Sequence, residues 1–293
     1  MRVAAPAKIN LLLHVGERRP DGFHELQSLI GFTEAGDQLE ISSSAELSLA
    51  VRGPFASALP SSDDNLVLKA ARALRQQSRR TDGAAIVLTK NLPVASGIGG
   101  GSADAGAALR GLDRLWDLNL SQQQLLKLAA ELGSDVPVCL LSRPCWVEGR
   151  GEALSELPPL PRMPVVLVNP GVAVSTSAVF GLLNARSGTA RSRPAKPLES
   201  LWDVIGYLGD AGNDLEAPAC ELAPAIQEVL NAFDREPGCA LAAMSGSGAT
   251  CFALFHDPDF AEGAASRIAQ DHRSWWVSLT RFAGPAIGDP NEE

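Results

Sequence analysis

Positive charge is in short supply: 25 Lys and Arg stand against 34 Asp and Glu, a formal net charge of -9. A dedicated nucleic-acid binder carries a basic stripe to neutralise phosphates, so no nucleic-acid partner is expected. Long apolar runs are missing too. Nothing approaches the roughly 20 consecutive apolar residues that span a bilayer. The start, 1-MRVAAPAKINLLLHVG-16, superficially resembles a signal peptide, but Lys8 and Asn10 interrupt its apolar run and no cleavage-like end follows. No membrane partner is expected, and the reading is a soluble, cytoplasmic protein. The five cysteines, Cys139, Cys145, Cys220, Cys239 and Cys251, form no CxxC pair and leave one over if the others pair. Small buried thiols in a reducing compartment fit that usage. There is no internal repeat.

What is present is an ordinary globular composition, 45% hydrophobic and 20% charged, on a chain long enough for two cores of about 150 residues each. Four prolines in 157-LPPLPRMP-164 make regular structure there improbable, which predicts domains at 1–156 and 157–293. Alternating and β-branched apolar positions predict strands from about Arg2 to Val15 and Glu25 to Ser43, around the polar loop 16-GERRPDG-22. Helical spacing marks 65–77, with Asp63, Asp64 or Asn65 as cap, then 102–118 and 121–133, each opened by a serine and the second closed by Gly133. A strand at 84–92 leads into a glycine-rich loop. Beyond residue 157 the pattern gives strands at 165–171, 239–244, 250–256 and 275–282, and helices at 218–233 and 258–270. The segment 185-ARSGTARSRPAKP-197, with Arg186, Arg191, Arg193 and Lys196, reads as a solvated basic loop. The fold class is α+β.

The loop 97-GIGGGSADAG-106 raises the chemical question. A Walker A loop needs a Gly-Lys-Ser/Thr ending, and no lysine occurs between Lys90 and Lys127. A dinucleotide fingerprint needs glycine where Ser102 stands. A tight turn with no ligand is the plain alternative. Three consecutive glycines, a serine and the helix formers from Ala103 instead gather unpaired N–H donors, a hydroxyl and the positive end of a helix at one point. That favours phosphate. Two charged residues carry weaker signals: Asp135, between Gly133 and Pro137, reads first as a helix cap, and Lys8, in an apolar strand, reads as a snorkelling side chain.

The stretch 92-LPVASGIGGGSADA-105 resembles the phosphate-loop signature of the GHMP kinases. Further stretches, 5-APAKINLLLHV-15, 18-RRPDGFHEL-26, 63-DDNLVLKA-70, 132-LGSDVPVCL-140, 213-NDLE-216 and 244-MSGSGATCFALF-255, resemble one branch of it, whose small-molecule substrate carries a cytidine diphosphate group. They extend over nearly the whole chain. The resemblance implies a two-domain GHMP kinase fold, with an N-terminal unit like domain 2 of ribosomal protein S5, a C-terminal ferredoxin-like unit and the active site between them. It implies transfer of the ATP γ-phosphate to a 2-hydroxyl on the methylerythritol part of the substrate, in the methylerythritol phosphate route to isoprenoids. Mg²⁺ is expected from the reaction class, with no protein ligand assigned. By the same resemblance Lys8 and Asp135 are catalytic and Pro93, Val94, Ala95, Ser96, Gly97, Ile98, Gly99, Gly100, Gly101, Ser102 and Ala103 bind ATP. Asn10, Phe23, His24 and Phe180 bind substrate. Phe23 replaces a frequent tyrosine, and Val138 and Cys139 stand where aromatics are common. The glycine turn 245-SGSGA-249 is open between a phosphate contact and a plain hairpin. Another small-alcohol kinase of homoserine or mevalonate type, or a non-catalytic nucleotide-binding regulator, is the alternative.

Overall fold

The computed structural model describes residues 1–59, 64–183, 191–209 and 211–283. The chain forms two compact units that interleave along the sequence. One comprises Met1–Lys8, Gly36–Val94 and Gly99–Ser142, the other Ile9–Ala35, Ala95–Ile98 and Arg143–Glu293. Two long strands, β1 (Arg2–Arg18) and β2 (His24–Ser44), contribute residues to both.

In the first unit the C-terminal half of β2 runs antiparallel to β4 (Gly83–Thr89), which takes β3 (Ser48–Arg52) as a parallel partner. Alternation selects the face: Leu39 and Ile41 of β2 and Ala84, Ile86 and Leu88 of β4 are all buried. Four helices accompany them: α1 (Leu66–Gln77), α2 (Gly100–Leu115), α3 (Gln122–Leu132) and α4 (Val136–Leu141). Asn65 caps α1, accepting from the Val67 N–H. Ser121 and Gln124 form a reciprocal capping box on α3, which Gly133 closes. Helix α2 is buried on most sides because its wall is alanine and glycine. A Cβ on Gly106 would meet the Leu140 backbone nitrogen of α4 at 2.8 Å. The sequence predicts that α2 begins at Ser102. It begins two residues earlier, with left-handed Gly99 at the N-cap and no side-chain cap.

The second unit contains a hairpin of β5 (Cys145–Gly149) and β6 (Ala153–Glu156), with β5 also paired to the N-terminal half of β2. Its other sheet has the order β10 (Trp276–Arg281), β7 (Pro164–Asn169), β9 (Cys251–Phe255), β8 (Cys239–Met244), all antiparallel. Counted along the chain that order is fourth, first, third, second, the ferredoxin-like arrangement. Among the described residues five helices belong here: α5 (Thr176–Gly181), α6 (Leu201–Leu208), α7 (Glu216–Leu222), α8 (Ala225–Asp234) and α9 (Pro258–Asp271). Ile226, Val229 and Phe233 of α8 bury fully in the same core as Val166, Val168, Cys251 and Phe255. Each large apolar side chain removed from water this way contributes about 1.5–3 kcal/mol.

The single helix predicted over 218–233 is two. Pro224 has no N–H to continue α7 and instead stands at the N-cap of α8. Helix α6 was not anticipated: its aromatic, β-branched and glycine residues have low helix propensity, although a Ser200–Asp203 capping box opens it. Of the basic loop 185–197, residues 185–190 lie outside the described residues. Its remainder is tied down: the Arg191 N–H donates to Gln27 Oε1 at 3.0 Å and the Tyr207 hydroxyl to the Ser192 carbonyl at 2.8 Å. All five cysteines are free. Among the described residues no helix is long and apolar enough to cross a membrane.

Because the Gly106 contact is to backbone, Gly106→Ala should lower unfolding stability by about 1–3 kcal/mol. An unchanged urea midpoint would rule out so close an approach of α2 to α4.

Candidate active site

Lys8 lies between Ala7 and Ile9, both fully buried. With both faces of β1 covered, its ammonium has no route to solvent and finds Asp135 instead. Lys8 Nζ donates to Asp135 Oδ2 at 2.7 Å, the lysine side chain being 6% exposed and the aspartate 46%. Asp135 occupies the N-cap position of α4 but makes no cap hydrogen bond. Burial alone favours neutral lysine; the Asp135 charge, then Cys139 and the hydrogen bond to Asp135, outweigh it and hold Lys8 above its ordinary value. The pair is one-sided: a sealed cation fixes a carboxylate that stays open to solvent. The lysine stem also runs past the start of α2, its Cβ and Cε lying 3.1 and 3.3 Å from where a Cβ on Gly99 would sit.

The glycine loop takes left-handed backbone at alternate positions, Ala95 (φ 52°), Gly97 (φ 79°) and Gly99 (φ 64°). Alternation of left- and right-handed residues is the backbone pattern that turns successive N–H groups toward one side in anion-binding nests. Alanine adopts that conformation rarely, so Ala95 is held by its surroundings. Gly100, Gly101 and Ser102 form the first turn of α2, where neither a capping side chain nor an acidic residue offsets the helix dipole. Ala103 is buried just beyond. Within the second unit, the Ser96 carbonyl accepts from the Thr250 N–H at 3.1 Å and the Gly97 carbonyl from Ser245 Oγ at 3.2 Å. A Cβ on Gly97 would lie 2.5 Å from the Ser245 carbonyl, and one on Gly246 2.8 Å from that of Gly97. The 245–249 turn thus packs backbone to backbone against residues 95–98. Pro93 and Val94 belong to the first unit.

The remaining candidates all fall in the second unit. Asn10 Nδ2 donates to Ser28 Oγ at 2.8 Å, and its backbone N–H to Ser245 Oγ at 3.1 Å. Its buried Oδ1 has no partner; an unmet buried acceptor costs about 1–3 kcal/mol. His24 Nδ1 lies 3.1 Å from the Gly16 carbonyl. A carbonyl only accepts, so Nδ1 carries the proton and neutral His24 keeps Nε2 as an acceptor. The Phe180 ring stands 5.6 Å from the His24 ring at 37°. Phe23 is 58% exposed, with the Arg150 guanidinium 5.1 Å from its ring centre.

Ser28 and Arg150 were missed in the sequence, as were the fully buried ions Asp37, Lys90 and Asp104, while Ser245 lay in the turn 245–249 whose role the sequence left open. Only Lys90, directly preceding the loop, offered a positional hint. Among the described residues no three His, Cys, Asp or Glu side chains gather to hold a metal.

Comparison with known proteins accords with this geometry. Residues 65–143 match the model of the GHMP kinases N-terminal domain and residues 198–273 that of the GHMP kinases C-terminal domain. The chain is 50% identical over 283 residues to 4-diphosphocytidyl-2-C-methyl-D-erythritol kinase of Parvibaculum lavamentivorans, covering 96% of this chain and 98% of that one. The Rhodospirillum rubrum enzyme of the same name is 46% identical over 98% and 94% of the two chains. A crystal structure of 4-(cytidine 5'-diphospho)-2C-methyl-D-erythritol kinase superposes with a TM-score of 0.79 at 33% identity, covering 97% of this chain and all of the other. Homoserine kinase from Cytophaga hutchinsonii, at 19% identity, TM-score 0.68 and coverages of 98% and 95%, shares the fold. With its loop, its two units and relatives at half identity all in agreement, the chain belongs to the GHMP kinases.

Proposed function

We infer that this chain is an ATP-dependent small-molecule kinase that transfers the γ-phosphate to the 2-hydroxyl of 4-diphosphocytidyl-2-C-methyl-D-erythritol, giving the 2-phosphate and ADP in isoprenoid precursor synthesis. The carrying observation is the Lys8–Asp135 pair beside the uncapped start of α2. The substrate comes from the names of relatives that match nearly the whole chain. Homoserine- and mevalonate-type readings rest on likenesses of 19% identity and less. Five free cysteines support a cytoplasmic setting. A division at residue 157 falls between the two stretches matched to family models.

Phosphoryl transfer asks the protein mainly for positioning and charge stabilisation. Residues 93–103 would form the ATP site, with backbone N–H groups from Val94 onward cradling the phosphates. Asp135, half open to solvent, would take the proton of the acceptor hydroxyl. Lys8 would steady Asp135 and offset negative charge building up at the attacking oxygen. Phe23 would offer a face to cytosine, Nε2 of His24 would accept from its exocyclic amine, and Phe180 would back His24. Asn10 would contact the diphosphate or sugar region of the substrate. Mg²⁺ needs few protein ligands; the hard oxygens of Ser102 and Asp135 fit it, and when bound it would offset charge on the ATP phosphates.

Purified protein with ATP and this substrate should yield the 2-phosphate, and excess chelator should abolish it. Asp135→Asn and Lys8→Ala should each lower kcat by about 10²–10⁴-fold while ATP binding stays largely intact; near-normal turnover in either variant refutes the role. Phe23→Ala should raise KM for the cytidine substrate by about tenfold, the scale of a lost base stack, with KM for ATP unaffected.

The pH dependence of the pair follows from its sign. Lys8 lies above its ordinary 10.5, so its stabilisation is complete below that value and is lost as pH rises through the higher folded value. The gap in urea midpoint between wild type and Lys8→Met should hold from about pH 6 to about pH 9 and close only at more alkaline pH. A gap that closes near neutrality contradicts this.

A further inference from the structure

Three ions stand away from solvent in the first unit. Lys90 Nζ donates to Asp37 Oδ2 at 2.5 Å and to Asp104 Oδ2 at 2.7 Å, and the side chains are 1%, 0% and 3% exposed. Asp37 also accepts, through Oδ1, the backbone N–H groups of Asn91 at 2.6 Å and Leu92 at 2.9 Å. Such an arrangement is costly. Two carboxylates share one ammonium, and Asp104 Oδ1 is buried with no partner. Burial, with the like charge of Asp37 adding and Lys90 opposing, pushes the Asp104 carboxyl up to about 7. Replacing buried ions by apolar residues often costs no stability, so stability alone does not account for the cluster.

Its position does. Lys90, Asn91 and Leu92 are the last residues before the glycine loop, and Asp104 is the fifth residue of α2, just after it. One carboxylate–ammonium–carboxylate chain therefore joins β2, the exit of β4 and the first turns of α2. The ammonium lies 3.0 Å from where a Cβ on Gly100 would be, directly behind the helix start. We propose that Asp37, Lys90 and Asp104 are positioning residues for ATP, pinning both ends of the glycine loop so that its N–H groups meet the phosphates in fixed geometry. This rests on reading that loop as the ATP site.

The double variant Lys90→Met with Asp104→Leu tests it without changing net charge, since one cation and one anion leave together. Lys90→Arg, which also keeps the charge, is the second variant; the space beside Gly100 does not suit a guanidinium. Titration with a non-hydrolysable ATP analogue, KM for each substrate and urea midpoints would be measured on all three proteins. Expected for the double variant is a folded protein whose midpoint is lowered by the Asp37 carboxylate left without its ammonium, with analogue binding by the folded protein weakened about tenfold or more and KM for the cytidine substrate within about twofold. Lys90→Arg should fall between. A lowered midpoint with unchanged analogue binding in the folded protein would make the cluster merely structural and overturn the proposal. Wild type that folds but binds no analogue would overturn the ATP reading and this proposal together; wild-type binding matched by both variants overturns this proposal alone.

Discussion

A loop built of glycine has no side chains with which to hold its own shape, and fixing each backbone residue costs about 1–2 kcal/mol of conformational entropy. The restraint has to come from outside, and the structure supplies it at successive points. Asp37 takes the last N–H groups before the loop. Ser245 and Thr250 hold residues 96 and 97. The stem of Lys8 fills the space beside Gly99, and Asp104 ties α2 to Lys90. The absence of side chains on the loop is what allows these groups to approach, since a Cβ at Gly97 or Gly100 would collide with or crowd them.

The same economy governs Lys8. The Lys8 side chain is itself only 6% exposed, so its ammonium is paired with Asp135 at 2.7 Å instead of with water. Asp135 does not cap α4: its backbone is helical (φ -89°, ψ -10°) where a capping residue is usually extended, and Pro137 removes one of the two N–H groups it could accept from.

Much of this was legible in the chain. Alternating and β-branched apolar positions marked β1 and β2, short apolar runs marked β4 and the strands of the second sheet, and Ser121 and Gly133 bounded α3 because their signals are local. The start of α2 was misread because a left-handed glycine, not a serine, opens it, and Pro224 broke a helix whose apolar pattern runs on without interruption. Lys8, Asp135 and His24 stood out by motif, yet no spacing distinguishes an aspartate that caps from one that faces a lysine 127 residues earlier. The Asp37–Lys90–Asp104 cluster was invisible for the same reason: its pairings cross 53 and 14 residues, and each member alone looks like an ordinary surface charge.

The hydrogen bond from Asn10 to Ser245 spans 235 residues, and Leu13 bridges to Asn213. Strand β1 is synthesised well ahead of Asn213 and Ser245, two of its partners. At about 5–20 residues per second, its inward face waits on the order of ten seconds for them. During synthesis the apolar run 9-INLLLHV-15 is therefore without these two contacts for that interval.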